Sequence, residues 1–332
     1  MGPALCLVSA ACFGAMAIFG KLAYDAGVSP AALLLVRFSL AAALLGTVLL
    51  LRPGLRRAEP GPQRGAPAGL GRVLAIAIAL GAVGYAAQAS LFFSALQLMD
   101  ASLLSLILYT YPVLVTVAAV LLGWDRLTPG RSAALLAASG GTLLVLLGAG
   151  GLSFHPLGAL LAFGSAITYT VYILVADTVV HRLPPVVLSA LVMTGAAGTL
   201  GARAVFTGGV DLGFRSSGWF WLACIALVST VLAMLAFFAG LKRTGPSTAA
   251  IMSTFEPVVT TALAALALGE TLTPAQLVGG VLVLSSVAVL QVRPARTGKQ
   301  DQGRRPAHPD RTAHEALAPA RDGLGEPTAV AP

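Results

Sequence analysis

Phe92-Phe93, Pro112, Asp125 and Leu127-Thr128-Pro129 return later in the chain as Phe237-Phe238, Pro257, Glu270 and Leu272-Thr273-Pro274. Each pair is separated by the same 145 positions, and both copies lie in sequence apolar enough for lipid. An earlier set, Ser9-Ala10 with Ser165-Ala166 and Phe13 with Tyr169, is separated by 156. A longer basic loop in the first half, the Pro-, Gly- and Arg-rich stretch Arg52 to Gly71, accounts for the difference. One hydrophobic unit is used twice.

Only 10% of the 332 residues are charged and 57% are hydrophobic, against about 25% charged in a soluble domain. Lipid is therefore the solvent. Continuous apolar runs of about 20 residues, without alternation, read as spanning helices and not as an outer-membrane barrel. Ten spans are expected: Pro3 to Gly20, Pro30 to Leu51, Val73 to Leu96, Ala101 to Gly123, Ser132 to Leu147, Leu157 to Val175, Pro185 to Gly201, Trp219 to Leu241, Ser247 to Leu268 and Ala275 to Val292. The third is long and interrupted by glycines, so bending is expected there. The first run has no basic residue before it and reads as a span, not a cleaved leader. From Pro294 the chain turns polar, rich in Arg, Ala, Pro and Gly, and reads as a disordered tail over 294–332.

The net charge of +8 does not point to nucleic acid, because the basic residues sit where membrane orientation requires them. Arg52, Arg56, Arg57, Arg64 and Arg72, then Arg126 and Arg131, Arg182, Lys242 and Arg243 all fall in even-numbered loops. Odd-numbered loops carry only Lys21, Arg203 and Arg215. Both termini are then cytoplasmic. Cys6, Cys12 and Cys224 lack metal-ligand spacing and read as packing residues.

Each half, 1–150 and 157–293, holds five expected spans. Five is odd, so the second half enters the membrane in the opposite sense. Such inverted repeats permit two near-equivalent shapes around a midplane site, which is alternating access by a secondary transporter. Pro112 and Pro257 stand near the middle of corresponding spans, where each removes a backbone donor and frees a carbonyl. Paired breaks of this kind point to a binding site, although a plain packing kink would look the same.

Two charges fall well inside spans, Arg37 and Glu256, and intramembrane charges are functional by default. Glu256 could exchange a proton with the medium or hold a substrate amine; the alternative is pairing with Arg37 or the backbone. Its first-half counterpart is the uncharged Tyr111. Arg37 could grip a carboxylate or phosphate; the alternative is snorkelling to the interface. Tyr85 and Gln88 share a face of the third span, Tyr169 and Tyr172 share one of the sixth, and Phe13 with Met16 occupies the matching face of the first. Tyr109, Tyr111 and Ser253 complete the candidate lining. Gly81, Gly84, Gly195 and Gly198 read as close-packing positions. Asp125 and Glu270 read as caps or loop ion-pair residues, with Leu-Thr-Pro turning into the next helix.

The stretch Lys21 to Arg37 and the twin Pro…Leu-Gly-(acidic)-x-Leu-Thr elements resemble the EamA-type branch of the drug/metabolite transporter superfamily. The second copy, Glu256-Pro257-Val258 through Leu268-Gly269-Glu270-Thr271-Leu272-Thr273, matches more closely. The first departs at Tyr111 and at Gly123-Trp124-Asp125-Arg126, and Phe13 stands where the family often has tryptophan. The resemblance covers residue 1 to about 293. It implies an all-α integral membrane fold of ten helices in two inverted five-helix repeats. It also implies export of small organic metabolites, such as amino acids or drugs, across a bacterial cytoplasmic (inner) membrane, with possible proton coupling. No cofactor is implied, and a monomer or weak dimer suffices. ATP drive and enzymatic activity find no support: Gly14 to Lys21 has the wrong spacing for a phosphate loop. His155, His181, His308 and His314 lie in loops or tail, and no cluster of acids, bases or ligands stands out. A membrane channel, or a receptor or enzyme without a transport cycle, is the competing expectation.

Overall fold

Proline opens helix after helix. Pro30, Pro129, Pro156, Pro185, Pro246 and Pro274 each stand at the first position of one. Proline's fixed φ suits a helix start, where its missing donor costs nothing. Side chains cap several of these starts. Ser29 Oγ accepts from the Ala32 amide at 3.2 Å, and His155 Nδ1 accepts from Gly158 at 3.3 Å. Thr273 and Gln276 form a reciprocal box: Gln276 Oε1 accepts from the Thr273 amide at 2.9 Å, and Thr273 Oγ1 from the Gln276 amide at 3.3 Å.

The computed structural model describes residues 1–56, 69–96, 98, 104, 107–148, 155–268 and 273–292. Within them run α1 (Gly2–Asp25), α2 (Pro30–Leu51), α3 (Leu70–Ala79), α4 (Ala86–Leu96), α5 (Tyr111–Leu121), α6 (Pro129–Gly148), α7 (Pro156–Val180), α8 (Pro185–Phe206), α9 (Ser216–Ala226), α10 (Ala233–Thr244), α11 (Pro246–Ser253), α12 (Phe255–Leu268) and α13 (Pro274–Val292). One π-helical segment, Leu80–Tyr85, joins α3 to α4, and another, Leu227–Leu232, joins α9 to α10. No strand occurs among the described residues. The expected tail, Glu270 and most of the basic second loop lie outside them.

Among the described residues, seven helices are long and apolar enough to cross a membrane: Gly2–Asp25, Pro30–Leu51, Leu70–Phe92, Pro129–Leu147, Pro156–Val180, Pro185–Phe206 and Ser216–Thr244. Fewer than ten qualify, and two of the shortfalls have a visible cause. Described helix resumes at Tyr111 after turn residues Tyr109 and Thr110, and α11 is separated from α12 at Thr254. Pro112 and Pro257 therefore lie in first turns of new helical segments and do not kink a continuous rod. Threonine hydroxyls meet carbonyls beside both breaks, Thr110 at Ile107 (2.8 Å) and Thr254 at Ile251 (2.6 Å). Backbone in lipid needs such partners.

Apolar side chains face outward as well as inward. On α7, Leu160, Phe163, Ile167 and Val171 form an exposed stripe at helical spacing, while Ser165, Ala166 and Tyr172 on other faces are buried. That arrangement suits a helix with lipid on one side and protein on the other.

Packing links the halves reciprocally. The helices α6 with α13 and α2 with α8 pair a unit with its own copy, whereas α1 packs on α10 as α7 packs on α4, and α1 on α11 and α12 as α7 on α5. The same reciprocity reaches single hydrogen bonds. Ser9 Oγ donates to the carbonyl of Ala233 at 2.9 Å, and Ser165 Oγ donates to the carbonyl of Gln88 at 3.2 Å. The serines are 156 apart and the acceptors 145 apart, the two registers of the repeat. Close approach is bought with glycine. A Cβ on Gly81 would overlap the Val192 carbonyl, and one on Gly195 the Ile78 carbonyl; a Cβ on Gly141 or Gly279 would lie only 2.7 or 2.5 Å from the other's carbonyl oxygen. Gly84 would meet the Tyr172 ring at 3.2 Å, but Gly198 faces open space.

Candidate functional site

Five of the six tyrosines come together. Ring centroids run Tyr109–Tyr111 5.9 Å, Tyr111–Tyr169 4.7 Å, Tyr169–Tyr172 6.0 Å and Tyr172–Tyr85 5.6 Å. They wall a cavity of about 120 Å³ that Phe13, Gln88, Arg37 and Glu256 also line. Of the expected lining residues, Ser253 is not itself on the wall: its hydroxyl bonds back to the Ala249 carbonyl at 3.0 Å and meets the hydroxyl of Tyr111, which is on it. It lies three residues before Glu256, with the helix interrupted between them at Thr254.

The lining follows the repeat. Phe92 and Phe237, Ala89 and Met234, and Tyr111 and Glu256 are 145 apart; Phe13 and Tyr169, and Met16 and Tyr172, are 156 apart. The remaining liners, Arg37, Phe38, Tyr85, Gln88, Leu108 and Tyr109, all belong to the first half. Symmetric walls thus carry asymmetric polar groups.

Arg37 is 3% exposed, and its guanidinium stays inside; it does not snorkel. Nε donates to Thr230 Oγ1 at 2.8 Å, Nη2 to the Tyr85 hydroxyl at 2.9 Å and Nη1 to Met16 Sδ at 2.9 Å. Its Cζ lies 4.8 Å from the Phe38 ring centroid and 5.9 Å from that of Tyr85, a cation–π environment. All these partners are neutral. Arg37 and Glu256 make no direct ion pair, though the Arg37 charge reaches Glu256 across the cavity. Glu256 instead pairs with the Tyr109 hydroxyl. Its carbonyl accepts from Thr260 Oγ1 at 3.1 Å, and the same hydroxyl reaches the Gly14 carbonyl at 3.0 Å. A side chain at Gly14 would sit 2.9 Å from that Glu256 carbonyl, so glycine lets α1 close on the break.

Gln88 Nε2 donates to Ser165 Oγ at 3.2 Å, tying α4 to α7. Tyr172 is buried, and its hydroxyl has no hydrogen-bond partner among the described residues. A buried unpaired hydroxyl beside a cavity offers a polar contact to whatever enters. Far from this site, Asp125 forms an ion pair with Arg131 and accepts from the Arg126 amide at 2.9 Å. Its contacts are those of a loop residue between helices.

Thr230 has no polar signature of its own in the sequence. It is legible only through the register, as the position 145 residues after Tyr85. Phe92 and Phe237 were visible as repeat markers, not as cavity walls.

A helical membrane chain with a duplicated unit whose copies both line a cavity has the form of a transporter. Residues 1–147 and 156–292 each match the EamA-like transporter family, and the chain belongs to it. It is 28% identical over 311 residues to the protein named "Uncharacterized transporter YcbK" of Bacillus subtilis (strain 168), covering 90% of this chain and 96% of that one. An "Uncharacterized transporter" of Archaeoglobus fulgidus is 25% identical over 198 residues, 60% of this chain and 70% of the other. A solved crystal structure superposes with a TM-score of 0.72 over 88% of this chain and 96% of its own length. At 21% identity that likeness is one of fold. The protein is a multi-pass membrane transporter.

Proposed function

We propose that this chain is a secondary carrier that exports small organic metabolites, such as amino acids or drugs, by alternating access around the tyrosine-lined cavity. One observation carries the reading: five repeat-matched residue pairs line a single cavity. In this reading residues 1–150 and 157–293 are inverted five-helix units, ten spans in all, and the cavity lies near the membrane midplane. The reciprocal serine bonds and helix pairings support it.

Arg37 takes an anionic group, for it is a buried cation with only neutral acceptors and, of five donors, three engaged. Glu256 takes an amine or a proton. Tyrosine faces and the free Tyr172 hydroxyl shape the remainder. Opposite charges facing one apolar chamber without touching suit a substrate that carries both.

The test uses purified protein in proteoliposomes, with candidate solutes drawn from metabolites that change between cells lacking and overproducing it. Saturable flux with counterflow is expected; ohmic current would make it a channel, and product formation without translocation an enzyme. Glu256→Gln is expected to abolish proton-driven accumulation while substrate exchange persists. Full coupled transport in that variant would remove Glu256 from the mechanism.

A further inference from the structure

Tyr85 and Thr230 occupy the same place in the two copies, 145 positions apart, and each lies in one of the two π-helical segments. Both accept from one guanidinium: Thr230 Oγ1 from Arg37 Nε at 2.8 Å and the Tyr85 hydroxyl from Nη2 at 2.9 Å. A π segment widens the helix by one residue and frees backbone groups. Thr230 also donates to the carbonyl of Ile225 at 2.9 Å, five residues back, so its proton stays on its own helix while its oxygen accepts from Arg37. In the first copy the Ala82 carbonyl, inside the π segment, accepts from Thr199 Oγ1 of α8 at 2.8 Å.

The geometry points to Thr230 as a positioning residue: we infer that it anchors Arg37 across the two halves, matched by Tyr85 within the first half. The Arg37–Thr230 bond would be the polar tie that must break for the second- and eighth-span walls to part. The aligned second-half position of Arg37 is Met193, buried and apolar, so this tie has no mirror image. The inference rests on the carrier reading only in treating the halves as the bodies that move.

The assay needs no substrate, so its failure is distinct from a failure of transport. A89C is placed in a C6A/C12A/C224A background and reconstituted as the full chain. Ala89 lines the cavity and is buried. Labelling by a membrane-impermeant maleimide then reads how often the cavity opens. T230V is expected to raise the labelling rate about tenfold, the population shift set by one hydrogen bond to a charged group. T230S, which keeps the hydroxyl, should label like the parent. R37M should raise labelling as T230V does while leaving the Thr230–Ile225 bond in place, and T230V in the R37M background should add nothing. Three results would overturn the inference: parent-like labelling in R37M, equal effects of T230S and T230V, or an additive effect of T230V on R37M. Monodispersity on size exclusion accompanies every variant, and R37M decides the matter should T230V not remain folded.

Discussion

At the scale of single residues, the two repeated serines offer the cleanest comparison. Ser9 and Ser165 are both fully buried, and each satisfies a carbonyl of the opposite half. Ser9→Ala and Ser165→Ala should each destabilise the protein by about 1–3 kcal/mol, because each leaves a buried acceptor unmet. Thermal unfolding in detergent would show it, and an effect confined to one serine would mean the bonds are not equivalent. Most of the cavity's polar residues were legible because a tyrosine, glutamine or charge stands out in an apolar run and must be given an interior place. Thr230 was not, since a lone threonine in a span ordinarily bonds its own helix, and many here do so, Thr168, Thr170 and Thr194 among them. Ser253 stands three before Glu256, but the helix breaks between them at Thr254, and the Ser253 hydroxyl turns to Ala249 and to Tyr111 instead.

Among the elements, the prolines announced the breaks beside Tyr111 and Glu256, but nothing announced the π segments. No residue type marks the insertion of one extra residue per turn; the glycines of the third span suggested bending without saying how. Two of those glycines have a definite duty. Gly81 and Gly195 let the first π segment and α8 touch backbone to backbone, and a methyl at either would strike a carbonyl that cannot swing aside. Gly81→Ala and Gly195→Ala should each cost about 1–3 kcal/mol from overpacking. Gly198→Ala, which meets nothing, should leave unfolding unchanged or raise its midpoint slightly through better helix propensity. Equal behaviour of the three variants would deny the close contact. Hydropathy led to an expectation of ten spans; among the described residues, length and apolarity mark seven.

For the molecule as a whole, orientation is the open variable. Basic residues gather in the even-numbered loops, so reporters fused at residue 60 and at residue 300 should both give cytoplasmic signals. A periplasmic signal at either would overturn that orientation. The duplication was the most readable feature of the chain, because seven residue pairs share one spacing to the residue. What it left unstated is that the copies have divided their labour. Two first halves joined together would hold a pair of guanidinium groups and tyrosine where the carboxylate stands; two second halves would hold a pair of carboxylates and methionine in place of arginine. Neither homodimeric ancestor, rebuilt from today's sequence, would enclose one of each. Fusion into a single polypeptide is what guarantees that the opposite charges always meet in the same chamber.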